Sequence, residues 1–106
     1  MRVDLTVRTT YAEGVRLNRN RRALVAAGVY QFGWDRPMQW EYTSSSSPPI
    51  AVPTGPETFT FRWRGNIEPR ADGSVTSEDA VDAFCAATGA RPACCAPVST
   101  DTFLDL

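Results

Sequence analysis

A chain of 106 residues is long enough for one domain with a single core (1–106) and too short for a separate catalytic subdomain. Hydrophobic residues at 42%, charged residues at 22% and eleven aromatics exclude a disordered polar chain. All eleven basic residues are Arg and His is absent, so the formal charge of −1 argues against a dedicated nucleic-acid binder, and no imidazole is present for metal binding or general-base catalysis.

The first element is a strand. From Arg2 to Arg8, Val3, Leu5 and Val7 alternate with Arg2, Asp4, Thr6 and Arg8, the period of a half-buried strand. The same stretch is not a secretory signal, because no apolar core follows its basic start and Asp4 interrupts it. Residues 12–27 admit two readings, a helix stopped by Gly28 or a hairpin. Gly14, Asn18 and Asn20 weaken the helix, so the preferred reading is a hairpin. In it Val15 and Leu17 are extended, Asn18 to Arg21 turn, and Arg22 to Phe32 forms a long central strand apolar on both faces. The most apolar run, Ala23 to Trp34, is twelve residues, short of the roughly 20 that span a bilayer, and no membrane segment is expected.

Two further stretches alternate. Met38, Trp40 and Tyr42 oppose Gln39, Glu41 and Thr43, and Phe59, Phe61 and Trp63 oppose Thr58, Thr60, Arg62 and Arg64. Both predict strands whose aromatic faces enter the core. Between them residues 44–56 hold four prolines and a serine run, which predicts an extended, polyproline-like loop or arm. Loops this long within compact domains are functional or disordered, and Ile50 and Val52 give this one apolar groups to bury in a neighbour.

Residues 77–88 are the one well-marked helix. Thr76 caps it with Asp79 in the capping-box position, Glu78, Asp79 and Asp82 place negative charge in its first turns, and Gly89 ends it. Val81, Phe84, Cys85 and Thr88 share one face, so Cys85 belongs to the buried stripe. The tail, residues 98–106, is acidic and apolar. It reads equally as a last edge strand or as a peptide that docks on a neighbour through Phe103, Leu104 and Leu106.

The chemical candidates are few. Cys85, Cys94 and Cys95 lack the paired spacing of a zinc site, and a Cys85 disulfide to Cys94 or Cys95 would leave one thiol free. A catalytic thiol would need a nearby cation, for which Arg91 is the candidate closest in sequence. Arg16, Arg19, Arg21 and Arg22 form a basic cluster suited to phosphate or an acidic protein surface, or else a solvated hairpin tip. The spaced oxygens of Ala71 to Asp79 do not make a calcium loop, because Ala83 occupies the position of the required Glu. Charge is uneven along the chain: seven Arg face three acids through residue 40, and four Arg face nine acids beyond it. If the fold keeps these halves apart, the molecule has a basic and an acidic side, suited to head-to-tail contacts.

The expected fold is a β-rich α+β domain. An antiparallel sheet of about four to five strands carries one helix, about 77–88, on one face, and a long Pro/Ser loop spans 44–56. The expected function is a non-enzymatic structural or assembly protein whose partners are copies of itself or other subunits, without catalytic residue, metal or cofactor. A bacteriophage virion component, for capsid decoration, head-tail joining or the tail, fits the size and the GC-rich composition, with the virion or host cytoplasm as its location. The alternatives are a small inhibitor or regulator of a host protein and a thiol-dependent enzyme or redox protein using Cys94 or Cys95.

Overall fold

The computed structural model describes residues 1–35, 40–42, 47–48, 51–53 and 57–103. Strand β1 (Arg2–Thr10) follows the alternation of its sequence and buries Val3, Leu5, Val7 and Thr9 on one face. Two short helices come next, α1 (Tyr11–Asn18) and α2 (Arg21–Ala27), so the hairpin over 12–27 and the central strand from Arg22 to Phe32 are both corrected. Capping is the physical reason. The Thr10 hydroxyl accepts the Glu13 N–H at 3.3 Å, and the Asn20 side chain accepts the Ala23 N–H at 3.2 Å. Gly28, at φ 112°, then closes α2 in the left-handed conformation. Gly14, which counts against a helix by propensity, stands where α1 meets the sheet. A Cβ added there would lie 2.3 Å from Phe59 Cδ2, so only glycine permits this approach.

The chain continues through β2 (Val29–Asp35), β3 (Trp40–Tyr42), β4 (Ala51–Pro53), β5 (Thr58–Asn66) and α3 (Ser77–Thr88). A single 3-10 turn, Pro92–Cys94, leads into β6 (Cys95–Phe103). The main sheet has the order β2-β5-β1-β6, and each neighbouring pair is antiparallel. β1 and β2 therefore run in the same direction on either side of β5, and β5 and β6 do so on either side of β1. Topologically this is the split β-α-β, or ferredoxin-like, arrangement, with two helices in the first crossover and α3 in the second. The fold is α+β and sheet-rich as expected, with three helices rather than one against the sheet.

The core lies between that helical layer and the sheet. Leu5, Phe61 and Phe84 are fully buried, with Leu17 from α1, Leu24 from α2 and Val81 from α3 closing round them. Burying an aromatic of this size contributes about 1.5–3 kcal/mol, so Phe61 and Phe84 anchor the layer. Trp63 also ties β5 to α2, its indole Nε1–H donating to the Ala27 carbonyl at 2.8 Å. α3 is capped as its sequence predicts: Thr76 and Asp79 exchange reciprocal bonds of 3.1 Å, and Gly89 at φ 79° ends it.

The remaining expectations sort as follows. Of the alternating stretch Met38 to Thr43, Trp40–Tyr42 forms a strand, but it pairs with β4 in a separate two-stranded sheet, Trp40 opposite Pro53 and Tyr42 opposite Ala51. The 44–56 loop is thus not extended coil throughout. Val52 lies in β4, where a two-stranded ribbon tolerates Pro53 because each strand is an edge, while Ile50 lies outside the described residues. The tail is an edge strand as far as Phe103, paired along β1 from Cys95, with a bulge where Val7 faces Pro97. Leu104 and Leu106 lie outside the described residues.

Candidate interaction surface

All three helices pack on one face of the sheet, and among the described residues the other face is left open. Cross-strand partners share a face, so the register places Arg2, Asp4, Thr6 and Arg8 of β1 on that face beside Asn66, Arg64, Arg62 and Thr60 of β5. Gln31 of β2 and Asp101 of β6 extend it outward. At its centre stands a cluster made by a bulge between Val29 and Gln31, which frees Tyr30 from the β5 register. The Tyr30 hydroxyl donates to Asp4 Oδ1 at 2.6 Å and Arg64 Nε donates to Asp4 Oδ2 at 3.2 Å. The guanidinium carbons of Arg64 and Arg62 lie 4.2 and 5.3 Å from the Tyr30 ring centroid. Burial works to raise the pKa of Asp4, but the Tyr30 and Arg64 hydrogen bonds and the Arg charges outweigh it and hold the carboxyl below its ordinary value. Burial and the bond to Asp4 push the Tyr30 phenol up. Next to this cluster a depression of about 300 Å³ is lined by Arg2, Val3, Asp4, Arg64 and Phe103.

The basic cluster read from the sequence divides between two roles. Arg16 is structural: its Nε donates to the Glu13 carboxylate and its Nη2 to the Gly89 carbonyl at 2.9 Å. Glu13, buried on α1, also accepts the Arg91 N–H at 2.6 Å. The Arg16 hydrogen bond, aided by the Arg91 N–H, prevails over burial and holds the Glu13 pKa below its ordinary value. This clamp joins α1 to the segment after α3, and in sequence its trace is an i,i+3 Glu-Arg pair. Arg19, Arg21 and Arg22 are exposed. Arg21 donates to Asn18 Oδ1 at 3.2 Å, and its guanidinium carbon lies 5.5 Å from the Phe32 ring centroid, which sets it beside β2.

The thiols are a pair and a neighbour. Cys85 is buried on α3 with its Sγ 4.0 Å from that of partly buried Cys95. Burial pushes the Cys95 thiol up to about 12 and raises Cys85 as well, so neither supplies much thiolate near neutrality. Among the described residues no group of three or more Cys, Asp and Glu side chains is placed to hold a metal ion, and no helix is long and apolar enough to cross a membrane.

β2 and β6 are the outer strands of the sheet, and exposed apolar side chains lie beside each. Beside β2 these are Val25 of α2 (64% exposed), Tyr30 (40%) and Trp34 (44%), the first two flanking a depression of about 390 Å³ that Val29 and Phe32 also line. Along β6 they are Val98 and Phe103, each 51% exposed. Of the interaction candidates read from the sequence, the fold brings Arg21 to the β2 edge and Phe103 to the β6 edge. No protein-family model matches the chain, and neither a curated protein nor a solved structure matches it.

Proposed function

We propose that the chain is a non-enzymatic structural subunit that acts through protein-protein contacts in a larger assembly, such as the capsid decoration, head-tail junction or tail of a bacteriophage virion. The observation that carries this reading is the β3-β4 ribbon in the connection from β2 to β5. Its strands have three residues each and form no extensive contact with the other described elements. A two-stranded ribbon is marginal in water by itself, so another surface has to support it. The virion assignment itself draws on size and composition.

Size-exclusion chromatography with light scattering on the full chain and on a variant lacking residues 44–56 tests the proposal. The full chain is expected to self-associate with rising concentration, and the deletion to weaken that association. A full chain that stays monomeric at high concentration and captures a single host protein would replace assembly with the regulator reading. Capsid or tail genes beside this one would support the virion placement.

A further inference from the structure

We infer that copies of this chain join head to tail, the β6 edge of one copy adding to the β2 edge of the next so that the sheet continues across the junction. This rests on the assembly reading above and names its contact. Strand direction permits it. In a four-stranded sheet of strictly alternating strands, the outermost two, β2 and β6, run antiparallel to each other. A second copy set alongside with its helices on the same face therefore meets β2 in the antiparallel sense used throughout the sheet. The lengths also match. Gln31 to Asp35 continues β2 past its bulge, and Ser99 to Phe103 continues β6 past Pro97, which has no N–H to donate.

Two copies could equally meet β2 to β2 across a two-fold axis, and charge decides between the arrangements. The β2 edge is flanked by Arg21, beside Phe32, and Arg62, beside Tyr30. Asp35 at its end is paired with Arg8 at 3.9 Å and also accepts the hydroxyls of Thr58 and Thr60. The β6 edge is flanked by acids. Asp101 lies in the strand, and Glu78 and Asp82 sit two turns and one turn before Cys85 on the flank of α3 that faces β6. That facing is fixed by the Cys85 and Cys95 sulfurs at 4.0 Å and by the Thr100 hydroxyl donating to Ser77 Oγ at 3.2 Å. A β2-β2 pair sets Arg against Arg and a β6-β6 pair sets Asp against Asp. The mixed junction sets each against its opposite and covers Val25 and Tyr30 with Val98 and Phe103. Such a contact is heterologous, so it generates a closed ring if its rotation closes and an open filament if it does not.

Complementary charge reversal tests this. The full chain carrying R21E/R62E and the full chain carrying D82R/D101R are each analysed alone and as an equimolar mixture by light scattering at low ionic strength. Each variant alone is expected to lose wild-type association by about tenfold or more, and the mixture to regain it, because both of its junctions again pair opposite charges. Survival of either variant's self-association would overturn the inference in favour of a two-fold edge. An assembling wild type indifferent to both changes would overturn it while leaving the assembly reading in place, and a monomeric wild type would remove both. Hydrogen exchange on the wild type guards against misfolded variants. Amides of Gln31 to Asp35 and of Ser99 to Phe103 are expected to slow together on concentration, and unchanged exchange in an assembled sample counts against the junction.

Discussion

Glu13 offers the sharpest test of how this fold is held. Its carboxylate is buried at 2% exposure and accepts the Arg91 N–H from a segment 78 residues away, so Glu13→Ala removes that bond and leaves a gap beneath α1. A hydrogen bond to a charged acceptor contributes about 1.5–3 kcal/mol, and with the lost packing the expected loss is about 3 kcal/mol. Arg16 is left out of that figure because it is 41% exposed and can turn to water. Glu13→Gln keeps the shape and a neutral acceptor, so its expected cost is about 1 kcal/mol. For a domain of this length those losses correspond to a melting temperature lowered by roughly 12 °C or more for the first and about 4–8 °C for the second. Thermal unfolding followed by circular dichroism across pH supplies the decisive comparison. The folded pKa lies below the ordinary value near 4.5, so the carboxylate's contribution is present above that value and is lost as pH falls through the folded pKa. The gap between wild type and Glu13→Gln should therefore persist to pH 4.5 and close in stronger acid. A Glu13→Gln chain as stable as wild type at pH 7, or a gap that does not close in acid, would refute the reasoning.

Three other outcomes follow from the same geometry. Gly14→Ala is expected to destabilise by about 1–2 kcal/mol in denaturant titration, because the crowding of Phe59 outweighs the helix propensity gained; a stabilised variant would mean that α1 can ride off the sheet. Thr76→Ala removes one half of the capping box and should lower stability by about 1 kcal/mol, with hydrogen exchange at Asp79 and Ala80 accelerating before the rest of α3. A small-molecule disulfide should oxidise Cys85 and Cys95 to an intrachain bridge, two thiols giving up their hydrogens as the reagent is reduced to two thiols. Alkylation and peptide mass mapping then find Cys94 as the alkylated cysteine, and the reaction is slow because Cys95 titrates at about 12; three alkylated cysteines would show that the 4.0 Å pair does not couple.

The parts of the fold that the sequence discloses are those where one local signal acts alone. β1 and β5 alternate with period two because each has a core on one side, and α3 begins and ends at residues whose capping chemistry needs no distant partner. Residues 12–27 mislead for the opposite reason. Gly14 weakens an isolated helix and is required by Phe59, which lies 45 residues away in the chain, and Asn20 reads as a turn residue until the second helix that it caps is known. The basic cluster fails similarly: Arg16 cannot be told from Arg19 or Arg21 until Glu13 and Gly89 are brought beside it. The Tyr30, Asp4 and Arg64 cluster is invisible in the linear order, since a bulge creates it and bulges arise from pairing. The charge asymmetry between the halves survives only in part. β1 carries its charges into the middle of the open face, while the flanks of β2 and β6 retain opposite signs.

Asp35 and Thr58 face each other directly across β2 and β5, so the 22 residues between them begin and end at neighbouring points. By chain-length entropy alone, a connection of that length costs only about 1.5 kcal/mol more to close than one of about four residues, because the penalty grows with the logarithm of length. The connection is therefore a nearly free variable of the design. Its length and composition can change with the partner while the four-stranded sheet and its helices stay the same, and a foreign recognition segment grafted between Asp35 and Thr58 should leave the melting transition almost where it was.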